Sequence, residues 1–166
     1  SSSSAAAEDY AALMRDDISI SDITSDERNA EALRQLKDDG PKFAKLWLQR
    51  ISRVRDLGYV FGVNDSRALG VLGCFLGRSA NVKDLQFALP PDLNIGIIEP
   101  FLLELRNNRS IRTLRLKNYV PRDFFRRLTP FIANNTCVVK MDVYNCDMDE
   151  EHFRSLSLAL RESRSL

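Results

Sequence analysis

Histidine and cysteine are scarce in this chain: one histidine and three cysteines among 166 residues. The thiols, Cys74, Cys137 and Cys146, are odd in number and form no C-x-x-C pair, which argues against both a disulfide framework and a zinc site of the usual ligand spacing. A reducing compartment, the cytoplasm or the nucleus, is the expectation. No phosphate-binding glycine loop, nucleophile motif or spaced carboxylate pair is present, so no catalytic residue, metal ligand or cofactor is assigned and no enzymatic activity is expected. Long hydrophobic runs are missing too. The most apolar stretch, Ala68 to Leu76, is glycine-rich and far short of the ~20 residues that span a bilayer. The amino-terminal SSSSAAAEDY has neither a basic n-region nor an apolar h-region, so it is not a secretory signal; residues 1–12 read as a disordered leader. Net charge is nearly absent, +1 from 24 basic and 23 acidic residues, which gives no global pull toward nucleic acid or membrane.

The charge that is present is segregated. Ser1 to Glu31 holds eight acidic residues against two basic ones, and Glu104 to Arg127 holds eight basic against two acidic. The basic stretch, Arg106 to Arg127, admits a reading as a site for RNA or another acidic ligand. Its arginines fall on a helix, a turn and a strand, so scattered solvated charge is the competing account, and nucleic acid is not the expected partner.

A repeat organises the remainder. Ile111-x-x-Leu114-x-Leu116 has a counterpart 29 residues upstream in Val82-x-x-Leu85-x-Phe87 and another 27 residues downstream in Val138-x-x-Met141-x-Val143. Phe43-x-x-Leu46-x-Leu48 shows the same pattern, separated from the next copy by a longer interval that places an insertion within residues 49–66. Ile18-x-Ile20 reads as a frayed first copy. Between copies the apolar spacing turns helical, as in Ile97, Phe101, Leu105 and in Phe124, Leu128, Phe131, Ile132. Each unit is therefore strand, turn, helix, turn. A further helix is expected from Ser25 to Leu36, and Pro100 and Pro130 should shorten or kink theirs. Asn107-Asn108 and Asn134-Asn135 follow two of the helices, where asparagine in the left-handed conformation would stop them. The insertion, with Gly58, Tyr59, Val60, Phe61 and Gly62, is expected to be a partly apolar loop against the body of the domain. N-x-S/T triplets at Asn64, Asn108 and Asn134 are read as turn asparagines.

The best copy, Val138-x-x-Met141-x-Val143-x-x-Cys146-x-Met148, resembles the leucine-rich repeat family, in particular the long-repeat class typified by ribonuclease inhibitor. The other copies depart from that consensus at the cysteine place, where Ile51, Pro90 and Tyr119 stand. The resemblance covers residues 16–166. It implies an α/β solenoid with a curved parallel sheet on the concave side and helices on the convex side, and a role for Cys146 in satisfying backbone groups where the strand ends. One domain over residues 13–166 is expected. Leu166, 28 residues after Val138, would open another strand, and the expectation is that the chain is a fragment of a longer array whose further repeats cover its last layer.

Strand alternation assigns the exposed face. With the leucine-type positions inside, a central column of Ser19, Trp47, Gln86, Arg115 and Asp142 faces out. Asp17, Lys45, Asp84, Thr113 and Lys140 flank it on one side, and Ser21, Gln49, Ala88, Lys117 and Tyr144 on the other. The candidate partner-binding residues are Trp47, Gln86, Arg115, Lys117, Asp142 and Tyr144, and the expected partner is another protein. Two readings of Trp47 stand: an exposed interface anchor, or an indole covered by the adjacent insertion. His152 falls at the edge of the core by repeat register, with Phe153 taking the inward role, and is read as structural.

Overall fold

The computed structural model describes residues 19–39, 44–50, 53–55 and 58–166. The leader, Asp17, Ile18, Phe43 and Ile51 lie outside these residues. Two helices come first, α1 (Ile20–Ile23) and α2 (Glu27–Asp38), then strands β1 (Lys45–Gln49), β2 (Arg53–Arg55) and β3 (Gly58–Gly62). Regular alternation follows: α3 (Ser66–Arg78), β4 (Asp84–Ala88), α4 (Ile95–Leu105), β5 (Thr113–Lys117), α5 (Phe124–Asn134), β6 (Lys140–Tyr144) and α6 (Glu150–Glu162). The sheet order is β2-β3-β1-β4-β5-β6. Five strands, β3, β1, β4, β5 and β6, run parallel, and β2 pairs antiparallel with β3 at one edge. The fold class is α/β.

The repeat register is the sheet register. Leu46, Leu85, Leu114 and Met141 form one row of paired positions, and Leu48, Phe87, Leu116 and Val143 the next. Their side chains point to the helices, and those of β1, β4 and β5 are fully buried. Phe87 makes edge contacts with Phe101 of α4 at 6.0 Å and with Phe124 of α5 at 5.1 Å between ring centres, so one strand residue joins two successive helices. Helices α3 and α4 approach closely because Gly73 has no side chain: a Cβ there would lie 2.9 Å from Cβ of Glu104 and 3.0 Å from the Phe101 carbonyl oxygen.

Four expectations are corrected. Residues 20–23 form a helical turn instead of a strand, with Ile20 and Ile23 buried; the paired polar side chains of Ser19 and Ser21, 2.8 Å apart, therefore do not belong to the sheet face. The position beside β1 is taken by β3, from the insertion, whose Tyr59 and Phe61 pair with Leu46 and Leu48. Parallel neighbours require the chain to return to the starting end before the second strand begins, and β2 makes that return within the sheet. The insertion is thus sheet, not a loop. Asn108 and Asn135 do not adopt the left-handed conformation, which among non-glycine described residues is confined to Asp39, Asn118, Asp123 and Asn145. Last, Phe153 is 56% exposed, while its neighbour His152 is the partly buried one.

Helices α4 and α5 continue through Pro100 and Pro130 for 11 residues each. The residues four places before the prolines, Gly96 and Arg126, are exposed, where water can satisfy the carbonyls that lose a partner.

Candidate functional site

The polar face of the sheet is built in three rows. Lys45, Asp84, Thr113 and Lys140 form the first, Trp47, Gln86, Arg115 and Asp142 the second, and Gln49, Ala88, Lys117 and Tyr144 the third, all in direct register. On β3, Val60 lies in register with Trp47, in the place expected for Ser19, and is fully buried. All six candidate residues of the strand face therefore share one side of the sheet.

Electrostatics divide that side. In the first two rows opposite charges meet: Lys45 lies 4.0 Å from Asp84, and Asp142 receives both Arg115 at 3.7 Å and Lys140 at 3.6 Å. Such partly exposed pairs contribute about 0–1 kcal/mol each, so their main consequence is neutralisation. The third row, at the carboxyl ends of the strands, opens into a groove of about 760 Å³. Trp47 and Tyr144 stand in its wall with Pro90 and Pro91; Gln49, Gln86 and Asn118 supply amides; Arg28, Arg50 and Lys117 supply charge. The Lys117 ammonium sits 5.8 Å from the centre of the Tyr144 ring, and the Tyr144 hydroxyl reaches across β5 to within 3.4 Å of the Gln86 amide oxygen.

Strand position explains most of this cluster, and it gathers Trp47, Gln86, Lys117 and Tyr144 around one cavity. Arg115 and Asp142 are on the same face but outside the lining residues, engaged with each other. Trp47 is partly buried and lines the groove, with β3 alongside it. Arg28, from α2, Arg50, just past β1, and Asn118 are contributions that strand alternation could not reveal. Asn118 has φ 74° directly after β5, and Asn145 has φ 51° directly after β6, so an asparagine in the left-handed region ends two strands at the same repeat position.

The three thiols and the single histidine lie apart from the groove lining. Burial pushes the Cys146 thiol up from its ordinary value, a backbone hydrogen bond at Tyr144 works in the opposite direction, and Asp147 raises it further; the thiol itself donates to the Tyr144 carbonyl at 3.4 Å. Cys74 is buried within α3, and the Cys137 thiol donates to the Arg109 carbonyl at 2.7 Å. His152 closes the amino terminus of α6: the Asp149 carboxylate accepts from the His152 N–H at 2.9 Å, and Nδ1 of His152 accepts from the Asp149 N–H at 3.2 Å. Nδ1 also lies 3.1 Å from the Asp149 carboxylate, a contact that becomes an ion pair only when the ring is protonated, at the expense of the bond from the Asp149 N–H. Among the described residues no group of three or more histidine, cysteine or acidic side chains could hold a metal ion, and no helix is long and apolar enough to cross a membrane.

The basic stretch is dispersed and partly compensated. Arg122 pairs with Glu151 at 3.5 Å, Arg126 with Asp123 at 3.2 Å and Arg127 with Glu99 at 2.9 Å; the Arg109 guanidinium donates to the carbonyls of Arg106 and Asn108.

No family profile matches the chain, and no curated protein sequence matches it. Among solved structures, it is similar to leiomodin-1 actin-binding site 2, at 12% identity and a TM-score of 0.48 over 80% of this chain and 87% of that one. It is also similar to the tropomodulin C-terminal domain of Caenorhabditis elegans, at 12% identity and a TM-score of 0.45 over 81% and 92% of the two chains. Likeness of this degree carries no argument about function.

Proposed function

We propose that the chain is a non-catalytic protein-binding module, a leucine-rich-repeat domain of the ribonuclease-inhibitor-like class that presents its strand face to a protein partner. One observation carries the reading: the register of the parallel strands collects Trp47, Gln86, Lys117 and Tyr144 around a single open groove. Tryptophan, tyrosine and cationic side chains in a part-buried setting are the residue types that concentrate binding energy at interfaces. The repeat spacing and the I-x-x-L-x-L core support the family assignment. The absence of catalysis is supported by the raised Cys146 thiol and by the capping role of His152.

The rival reading, RNA or acidic-ligand binding along Arg106 to Arg127, loses support from the pairing of Arg122, Arg126 and Arg127 with carboxylates. Crosslinked capture with the wild type, Trp47→Ala, Tyr144→Ala and a helix-side control, Leu103→Ser, tests the proposal. A partner retained by wild type and control but lost from both groove variants, all four having the same circular dichroism, is the expected result. Equal capture by every variant would overturn it.

A further inference from the structure

The groove has a sign. Among the described residues that line it, Arg50 and Lys117 bring positive charge and none is a carboxylate, whereas the two rows beside it have their acids and bases paired. We infer that the groove accepts an extended acidic peptide segment, one in which carboxylates alternate with apolar side chains. This rests on the reading of the strand face as a protein-binding surface and specifies the partner's chemistry.

Lys117 and Arg50 carry the argument. Arg50 is exposed immediately after β1. Lys117 is held by the face of Tyr144, an attraction of about 0.5–1 kcal/mol at an exposed site that positions the ammonium without neutralising it. A carboxylate arriving from solvent finds both a fixed cation and a part-apolar wall. Trp47, Pro90 and Pro91 offer that wall to the intervening apolar side chains, and the amides of Gln86 and Asn118 can bond an extended backbone. The volume, about 760 Å³, lies in the range of roughly 300–1,000 Å³ that holds a compact ligand or a few side chains.

A nucleic acid requires a longer track of cations, since its affinity comes from several phosphate contacts. Beyond the groove the arginines of α5 are paired with acids. An acidic peptide matches the observed extent of positive charge.

Trp47 is the only tryptophan of the chain, so its emission reports the groove directly in the intact protein. The probes are a short capped peptide alternating glutamate with leucine, the same peptide with glutamine or with lysine for glutamate, and a short oligouridylate. The glutamate peptide should shift Trp47 emission, weaken as salt rises, and bind at least about tenfold less tightly to Arg50→Glu and Lys117→Glu, a difference of about 1.4 kcal/mol. Both sites are at the surface, and unchanged circular dichroism checks the fold. No emission change, equal binding of the glutamine peptide, or tighter binding of the oligouridylate would each overturn the inference. The capture experiment separates its failure from failure of the broader reading: a partner lost from Trp47→Ala but kept by Lys117→Glu leaves the strand face as the binding surface and removes the acidic preference.

Discussion

Four polar side chains, Ser79, Asn108, Asn135 and Ser163, stand at intervals of 27 to 29 residues, where each helix gives way to an extended segment. Each uses its side-chain oxygen to accept backbone N–H groups two and three residues ahead: Asn81 and Val82, Ser110 and Ile111, Cys137 and Val138, Ser165 and Leu166. The asparagines also donate, and so does Ser79, whose hydroxyl reaches the Asp39 carboxylate at 2.6 Å. The Asn108 amide donates to the Leu76 carbonyl at 2.7 Å, and the Asn135 amide to the Asn108 carbonyl at 2.9 Å, so each reaches back into the preceding unit. Both are fully buried. Asn108→Ala would leave the N–H groups of Ser110 and Ile111 without their partner, while the Leu76 carbonyl keeps the Ser79 N–H, and each unsatisfied buried group costs about 1–3 kcal/mol. A loss of about 2–4 kcal/mol in urea unfolding is expected, against less than about 0.5 kcal/mol for Asn107→Ala on the exposed neighbouring site. The doublets Asn107-Asn108 and Asn134-Asn135 are legible in sequence as turns, but asparagine serves both left-handed stops and side-chain caps. Only the tertiary position of the next strand distinguishes them.

At the scale of elements, the helices are specified locally and the first strands are not. Asp26, Asp65, Asn94 and Asp149 each cap a helix through the side chain, and apolar residues at helical spacing turn inward behind them. β3 escapes the repeat pattern because its first apolar place, three residues before Tyr59, is Asp56. Besides its pairing with β1 and β2, a buried amide ties it to α2: Asn29 accepts from the Gly62 N–H at 2.9 Å and donates to the Gly62 carbonyl at 3.2 Å. Helix α6 carries a pH-sensitive start. The Asp149 carboxyl is held below its ordinary value of 3.8, first by the hydrogen bond from the His152 N–H, with the charges of His152 and Arg122 acting in the same direction and desolvation opposing. Its folded pKa being depressed, its contribution is fully present above that ordinary value and is lost as pH falls through the lower folded value. Amide exchange at His152 and Phe153 should therefore accelerate as the solution is acidified below about pH 4. Asp149→Asn keeps a capping oxygen without the titration and should flatten that acceleration; an unchanged acid profile in this variant would assign the effect to Glu150 and Glu151 instead.

Across the whole molecule the same repeat positions meet very different surroundings. Phe125 of α5 and Phe153 of α6 are 28 residues apart, and the first is fully buried while the second is 56% exposed. Ile132 and Leu160 repeat the contrast at 1% and 40%, and Met141 and Val143 of β6 are only partly covered where Leu114 and Leu116 of β5 are sealed. The periodicity is readable because each position keeps its apolar type. Burial is not readable, because it depends on whether another unit stacks against the layer, and among the described residues nothing does so beyond β6 and α6. Hydrophobic stabilisation follows the area removed from water, so identical substitutions at the two phenylalanines must differ. Phe125→Ala should cost about 3–5 kcal/mol, enough to unfold a domain whose total stability is on the order of 5–15 kcal/mol under mild denaturant. Phe153→Ala should cost less than about 1.5 kcal/mol. Urea midpoints of the two variants measured side by side check this, and comparable losses at both positions would mean that Phe153 is covered in solution and that the exposed layer has an occupant.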